Sequence, residues 1–361
     1  MKTYFVKTYG CQMNQSDSER IVGWYESKGW VPTKGIEKAD EVVINSCSVR
    51  QTAEDRVLGL VNNLSKLKAN NPKLKIILTG CLLRYPLTDL RKKMPQVDEF
   101  KKIEEFKTAG VVREEKIHAW VPIMEGCNNF CSYCVVPMAR GREKSRPFDE
   151  IACEVKQLVK QGYQEITLLG QNVNSYGKDF PRSEKESEKR KKKEAPFATL
   201  LKSLHRIKGL KKISFITSNP WDLTEEIIEA ISLPKIDRYL HLPVQSGDDQ
   251  ILKKMNRKYT AKQYLDLVKM IRKNIPDIKI GTDIIVGFPG ETKKQFQNTV
   301  ALCQKVGFEK AYLARYSPRW GTAAFKLKDS VPHQEKKRRW RILEELINCQ
   351  SLSRSGNDLI L

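Results

Sequence analysis

The chain has 361 residues, 40% of them hydrophobic, enough for two domains with cores of their own and without the run of about 20 apolar residues that a membrane span needs. Sixty-five Lys and Arg against 43 Asp and Glu leave a formal charge of +22, an excess that suits a polyanionic partner because basic side chains displace counterions from phosphates. The cysteines number nine, an odd count, and Met1 leads almost at once into the strand-like Thr3-Tyr4-Phe5-Val6; both argue against a secreted disulfide framework and for a cytoplasmic protein whose thiols bind metal, react or fill a core.

The first 115 or so residues read as three strand–loop–helix units. Lys2 to Lys7, Glu41 to Ile44 and Lys75 to Leu78 are short apolar strands, each followed by a helical pattern. Ser16-Asp17-Ser18-Glu19 has the form of a capping box, with Ile21, Trp24 and Tyr25 as the apolar face behind it. Val57, Leu60, Val61, Leu64 and Leu67 repeat at helical spacing in the second unit. Alternating strand and helix predicts an α/β fold with an open parallel sheet and right-handed crossovers.

A second alternating series starts near Trp120. Its strand candidates are Val121–Glu125, Glu165–Leu169, Lys212–Thr217, Arg238–His241, Lys279–Val286 and Ala311–Tyr316, separated by helical stretches such as Asp149–Lys160, Ala261–Lys273 and Lys293–Lys305. Six units predict an incomplete (β/α)6 barrel, short of the usual eight. The expected domains are 1–115 and 116–350, with a short tail over 351–361. Within an insertion at 181–195, Arg182 to Lys193 carries seven basic and three acidic residues. It cannot bury a core and reads as a solvated loop or an RNA-binding arm.

Cys127, Cys131 and Cys134 stand at x3 and x2 spacing in a loop directly after the first strand of this series, the end where barrel enzymes place their chemistry. Three thiolates can hold three corners of a small cluster and leave one iron open. Zinc or plain buried thiols compete with this reading, but zinc wants a fourth protein ligand. Cys11, Cys47 and Cys81 are dispersed, yet each ends a strand. Parallel strands bring such ends together, where open sheets bind ligands, and each Cys is expected at a helix start whose positive end suits an anionic cluster. A second cluster and three unrelated thiols both remain open here. Cys153 and Cys303 sit on helical patterns and read as core filler, and Cys349 lies close to the end.

The Cys127 triplet, with an aromatic before its last cysteine, resembles the signature of the radical S-adenosylmethionine superfamily. Together the two triplets resemble the methylthiotransferases over nearly the whole chain. The strings that carry this include Lys7-Thr8-Tyr9-Gly10-Cys11-Gln12-Met13-Asn14, Cys131-Ser132-Tyr133-Cys134-Val135-Val136-Pro137 with Ala139-Arg140-Gly141-Arg142, and His241-Leu242-Pro243-Val244-Gln245-Ser246-Gly247. Asn45-Ser46-Cys47-Ser48-Val49-Arg50, Gln171-Asn172-Val173-Asn174 and Phe215-Ile216-Thr217-Ser218-Asn219-Pro220 look like the MiaB type, which acts on N6-dimethylallyladenosine beside the tRNA anticodon. A branch acting on threonylcarbamoyladenosine and a catalytically impaired cluster- or RNA-binding protein are the competing expectations.

The resemblance implies a radical-SAM partial barrel and two [4Fe–4S] clusters, one on Cys127, Cys131 and Cys134 and a sulfur-donating one on Cys11, Cys47 and Cys81. It implies two molecules of S-adenosylmethionine per turnover, with methylthiolation at carbon 2 of the adenine. Gly170, Gln171, Gln245 and Glu291 are expected near the S-adenosylmethionine pocket, though each could instead shape a turn. The implied partners are the tRNA anticodon stem-loop and an electron donor such as flavodoxin or ferredoxin, with the enzyme a monomer and no membrane contact. Two departures stand out. Trp320 in Arg319-Trp320-Gly321-Thr322 replaces the usual Pro. No barrel pattern follows Ser351 to Gly356, so the RNA-binding TRAM domain is expected to be absent and RNA affinity reduced. The basic Lys336-Lys337-Arg338-Arg339-Trp340-Arg341 reads as the exposed side of a closing helix or as an RNA contact.

Overall fold

A computed structural model describes residues 1–107, 110–181 and 194–349. The basic run Arg182–Lys193 and the tail 351–361 lie outside them. The chain divides into two compact units. The first comprises Met1–Pro122 and Val135–Arg142; the second takes in Ile123–Cys134 and the chain from Glu143 onward.

The first unit is built on a five-stranded sheet: β1 (Thr3–Thr8), β2 (Val31–Pro32), β3 (Glu41–Ser46), β4 (Lys75–Gly80) and β5 (Glu99–Phe100). The spatial order is β2-β1-β3-β4-β5, and every pairing is parallel. The two-residue strands β2 and β5 carry too few residues for any sequence period, and the three-strand expectation missed them. Helix α1 (Gln12–Glu26) links β1 to β2, and α2 (Gln51–Asn70) links β3 to β4. The strands alternate their faces at a period of two. Val42, Ile44, Ile76 and Leu78 pack with Val57, Val61 and Leu64 of α2. Val43 and Ile77 pack with Ile21 and Tyr25 of α1. Helices thus cover both faces of the sheet, and the strand order turns back between β1 and β3. A doubly wound sheet opens a crevice at that point, outside the carboxyl ends of its strands.

Ser16, Asp17, Ser18 and Glu19 do not cap α1. The helix begins four residues earlier with Cys11 as N-cap, and all four are buried inside it. Burial of four polar side chains needs partners, and Ser18 finds them in Thr8 and Asn45.

In the second unit, β9 (Glu165–Leu169) and β10 (Lys212–Phe215) pair in parallel, and an isolated parallel bridge joins Ile213 to Ile236. Then β11 (Tyr239–His241), β12 (Lys279–Val286) and β13 (Lys310–Arg315) pair in parallel in that order. The flanking helices are α5 (Phe148–Lys160), α6 (Pro196–His205), α7 (Glu225–Ile231), α8 (Asp249–Lys254), α9 (Ala261–Asn274) and α10 (Lys293–Val306). Thr260 with Gln263 and Thr292 with Gln295 close capping boxes that start α9 and α10.

The expected strand Val121–Glu125 is broken. One segment, β6 (His118–Pro122), ends where proline offers no amide hydrogen to continue a ladder. The next, β7 (Met124–Glu125), pairs antiparallel with β8 (Lys144–Ser145). Two further expectations are corrected. Cys153 is exposed on α5, whose buried face is Ile151, Val155 and Leu158, whereas Cys303 is buried as expected. In the closing helix, α11 (His333–Leu343), Lys336 and Arg339 are buried, against Asp329 and Glu291 respectively. They are core ion pairs, so the basic run is not simply an exposed face.

Candidate iron–sulfur sites

Cys11, Cys47 and Cys81 follow β1, β3 and β4, at the crevice of the first sheet. Only Cys11 caps an α-helix. Three residues separate Cys47 from α2, and Cys81 opens a 3-10 turn over Cys81–Arg84, so the dipole of a long helix reaches one thiol and not three. The three sulfurs are close enough to act on each other: negative charge at Cys11 and Cys47 raises the proton affinity of Cys81. Burial pushes both the Cys47 and Cys81 thiols up, while the Val49 amide, 3.4 Å from Cys47 Sγ, pulls Cys47 down.

Buried amides fix the strand ends that carry these thiols. Asn14 Nδ2 donates to Asn45 Oδ1 at 3.0 Å and to the Ser46 carbonyl at 3.1 Å, and Asn45 Nδ2 returns a bond to the Asn14 carbonyl at 2.8 Å. Gly80 has φ +87°, and a Cβ there would lie 2.5 Å from the Ser46 carbonyl oxygen. Only glycine lets β3 and β4 end so close together at this dihedral. A residue that sequence reasoning left without a role completes the site. Arg140, in α4 (Val136–Arg140), donates through Nη2 to Asp17 Oδ2 at 2.6 Å; α4 packs against the turn that Cys81 opens, and the Arg140 charge lowers the proton affinity of the Cys81 thiol.

The loop bearing Cys127, Cys131 and Cys134 is braced within the second unit. The Gly126 amide donates to Gln171 Oε1 at 2.6 Å. Ser132 binds the end of α8, its amide to the Met255 carbonyl at 3.0 Å and its hydroxyl to the Lys254 carbonyl at 2.8 Å. Phe130 takes a left-handed φ of 49°, and Asn256 Nδ2 holds its carbonyl at 2.9 Å. Tyr133 packs against the cluster of Ile251, Met255, Phe288 and Tyr316. Burial pushes the Cys127 thiol up to about 11, with Cys131 adding to the shift. Arg257 Nη1 donates to Cys131 Sγ at 3.4 Å. Neither Asn256 nor Arg257 belongs to a pattern that sequence reasoning could have singled out.

The four residues expected near the cofactor diverge in their surroundings. Gln171 braces the cysteine loop directly. Gly170 accepts from Thr217 Oγ1 at 2.6 Å, and a Cβ on it would meet the Met124 side chain. Gln245 is buried with φ 67°, its backbone tied to Asp283 and Ile285 of β12. Glu291 accepts from the Gly287 amide at 2.7 Å and from Arg339 Nη1 at 2.6 Å, a role that holds the fold together.

Among the described residues, no three His, Cys, Asp or Glu side chains converge tightly enough for a single metal ion. A tetrahedral zinc site would need that convergence. A cubane places a separate iron before each thiolate and tolerates wider spacing. Three thiols and a buried guanidinium in each group therefore fit an anionic cluster better than a lone cation.

Residues 121–303 match the Radical SAM superfamily, and residues 3–101 match the Uncharacterized protein family UPF0004. Two relatives named tRNA-2-methylthio-N(6)-dimethylallyladenosine synthase are each 45% identical to this chain. The alignment with the one from Thermoanaerobacter pseudethanolicus covers 98% of this chain and 79% of the relative. That with the one from Carboxydothermus hydrogenoformans covers 99% and 86%. The chain belongs to the MiaB-type methylthiotransferases of the radical S-adenosylmethionine superfamily. Members of this family are enzymes that use [4Fe–4S] clusters and S-adenosylmethionine. The solved radical S-adenosylmethionine methyltransferase TsrM from Kitasatospora setae superposes with a TM-score of 0.60 at 12% identity, over 90% of this chain and 77% of its own. The cobalamin-dependent radical enzyme OxsB gives 0.55 at 9% identity, over 98% and 56%. These two likenesses speak for the fold alone.

Proposed function

We propose that this protein is a tRNA methylthiotransferase that converts N6-dimethylallyladenosine beside the anticodon to its 2-methylthio derivative. The observation that carries this reading is the presence of six cysteines in two groups, one to each unit, in a chain that matches such synthases almost end to end. In this reading Cys127, Cys131 and Cys134 hold the radical cluster, and Cys11, Cys47 and Cys81 hold the sulfur-donating one. Bound there, the clusters and S-adenosylmethionine would supply radical abstraction of hydrogen from carbon 2 and the methylthio group that takes its place.

The chain's own residues position and shield. Gln171, Ser132 and Asn256 set the shape of the Cys127–Cys134 loop through the bonds given above. Asn14, Asn45 and Gly80 keep the ends of the first sheet in register. The adenine must leave its stack to be reached, and the +22 charge favours contact with the tRNA phosphates. Gly170 and Gln245 remain the candidates to line the S-adenosylmethionine pocket, each at a strand end; Glu291, bound by Arg339, would reach it only by giving up that pair. No helix of the described residues is long and apolar enough to cross a membrane. The proposal includes a cytoplasmic monomer served by an electron donor of the flavodoxin or ferredoxin class.

Expression in a host lacking its own enzyme, followed by mass spectrometry of digested tRNA, tests the assignment. 2-Methylthio-N6-dimethylallyladenosine is the expected product. Appearance of the methylthio-threonylcarbamoyl nucleoside instead would move the protein to the other branch, and an unmodified digest would leave the chain without this activity.

A further inference from the structure

The cation beside the first cysteine group arrives from far along the chain. Arg140 stands 123 positions from Asp17, in the short segment Val135–Arg142 that folds with the first unit. Its side chain is 9% exposed and that of Asp17 is 2% exposed. The helix that carries Arg140 packs against the turn opened by Cys81, and the Arg140 charge acts on that thiol. Removing two charges from water is expensive, and a buried pair rarely repays that cost as stability alone. Here the cost falls where an anionic group is to be seated.

We propose that Arg140 and Asp17 are positioning residues that set the charge felt by the iron–sulfur cluster of Cys11, Cys47 and Cys81. This rests on the reading of those cysteines as cluster ligands. A cluster gains one negative charge on reduction. Arg140, whose charge acts on the Cys81 thiol, favours the reduced form, and Asp17, paired with Arg140, offsets part of that effect. Without the offset the cluster would compete for electrons needed for S-adenosylmethionine cleavage.

The two side chains are therefore opposed in sign, which a purely structural pair would not be. The test uses the full chain, reconstituted under anaerobic conditions, with Cys127, Cys131 and Cys134 replaced by Ala so that one cluster remains. Its midpoint potential is read by redox titration followed by electron paramagnetic resonance. Asp17→Asn is expected to raise the potential, favouring reduction about tenfold, or roughly 59 mV for one electron. Arg140→Gln is expected to lower it by a similar factor, Arg140→Lys to stay near the parent, and the double variant Asp17→Asn with Arg140→Gln to return towards it. Should Arg140→Gln fail to keep its iron, Asp17→Asn decides alone. Shifts in the same direction, or no shift, overturn the inference. A parent that binds no iron overturns the reading of the three cysteines and this inference with it.

Discussion

Arg257 donates to the sulfur of Cys131 at 3.4 Å, and among the described residues no carboxylate neutralises it. It also meets the Pro243 carbonyl at 2.9 Å, the Tyr259 hydroxyl at 3.1 Å and the faces of Trp221 and Tyr259, 4.6 and 5.2 Å from the ring centroids. A charge-assisted bond to a thiolate is worth about 1.5–3 kcal/mol. We expect Arg257→Gln to release iron from the radical cluster to a chelator about tenfold faster, the equivalent of about 1.4 kcal/mol, and Arg257→Lys to recover part of the loss. Unchanged release kinetics would mean that the contact carries no load in the loaded protein.

Iron counting separates the two cysteine groups. Replacing Cys127, Cys131 and Cys134 by Ala should remove half the iron of the reconstituted protein and all cleavage of S-adenosylmethionine. Replacing Cys11, Cys47 and Cys81 should remove the other half and abolish methylthiolation while some cleavage persists. Stoichiometric zinc with a single cluster in the parent would refute both halves of this prediction.

The buried pair of Arg339 and Glu291, with side chains 3% and 2% exposed, should be costly to break. Arg339→Ala strands a carboxylate without its counter-ion and is expected to destabilise the second unit by about 3–5 kcal/mol. Glu291→Gln should cost less, because Arg339 keeps Glu335 and the Glu291 main-chain carbonyl. Urea unfolding followed by tryptophan fluorescence gives both values, and equal losses would contradict the ranking.

Glu19 predicts a pH dependence. Burial pushes its carboxyl up to about 7, with Arg113 opposing. A raised acid binds more protons folded than unfolded between its ordinary range and pH 7, so stability falls as pH rises through that window. Melting temperature should therefore drop between about pH 5 and 7, and Glu19→Gln should flatten the drop. A slope that survives the substitution belongs to other groups.

The parts of this fold that could be read from sequence are those that depend on near neighbours. Thr260 with Gln263 and Thr292 with Gln295 announce two helix starts within four residues each. Cys47 and Cys81 directly follow β3 and β4, and Cys11 comes three positions after the end of β1, so their place at the strand ends was legible. What escaped depends on partners far along the chain. Asp17 passes for a cap until its buried arginine is known. Lys336 looks like a solvated lysine until Asp329 and the Tyr316 carbonyl surround its ammonium. Local patterns record periodicity, whereas the neutralisation of a buried charge is a property of the finished fold.

Because Val135–Arg142 folds with the sheet of residues 1–122, the first unit is not a contiguous stretch of gene. A fragment cut after Pro122 would keep all three of its cysteines and lose the guanidinium beside Cys81. Grafting that fragment onto another radical enzyme would transplant the thiols together with Asp17, a buried carboxylate without its cation. Modular exchange within such enzymes would have to carry the eight residues after Cys134 as well, so a crossover between the two halves has no single permissible breakpoint.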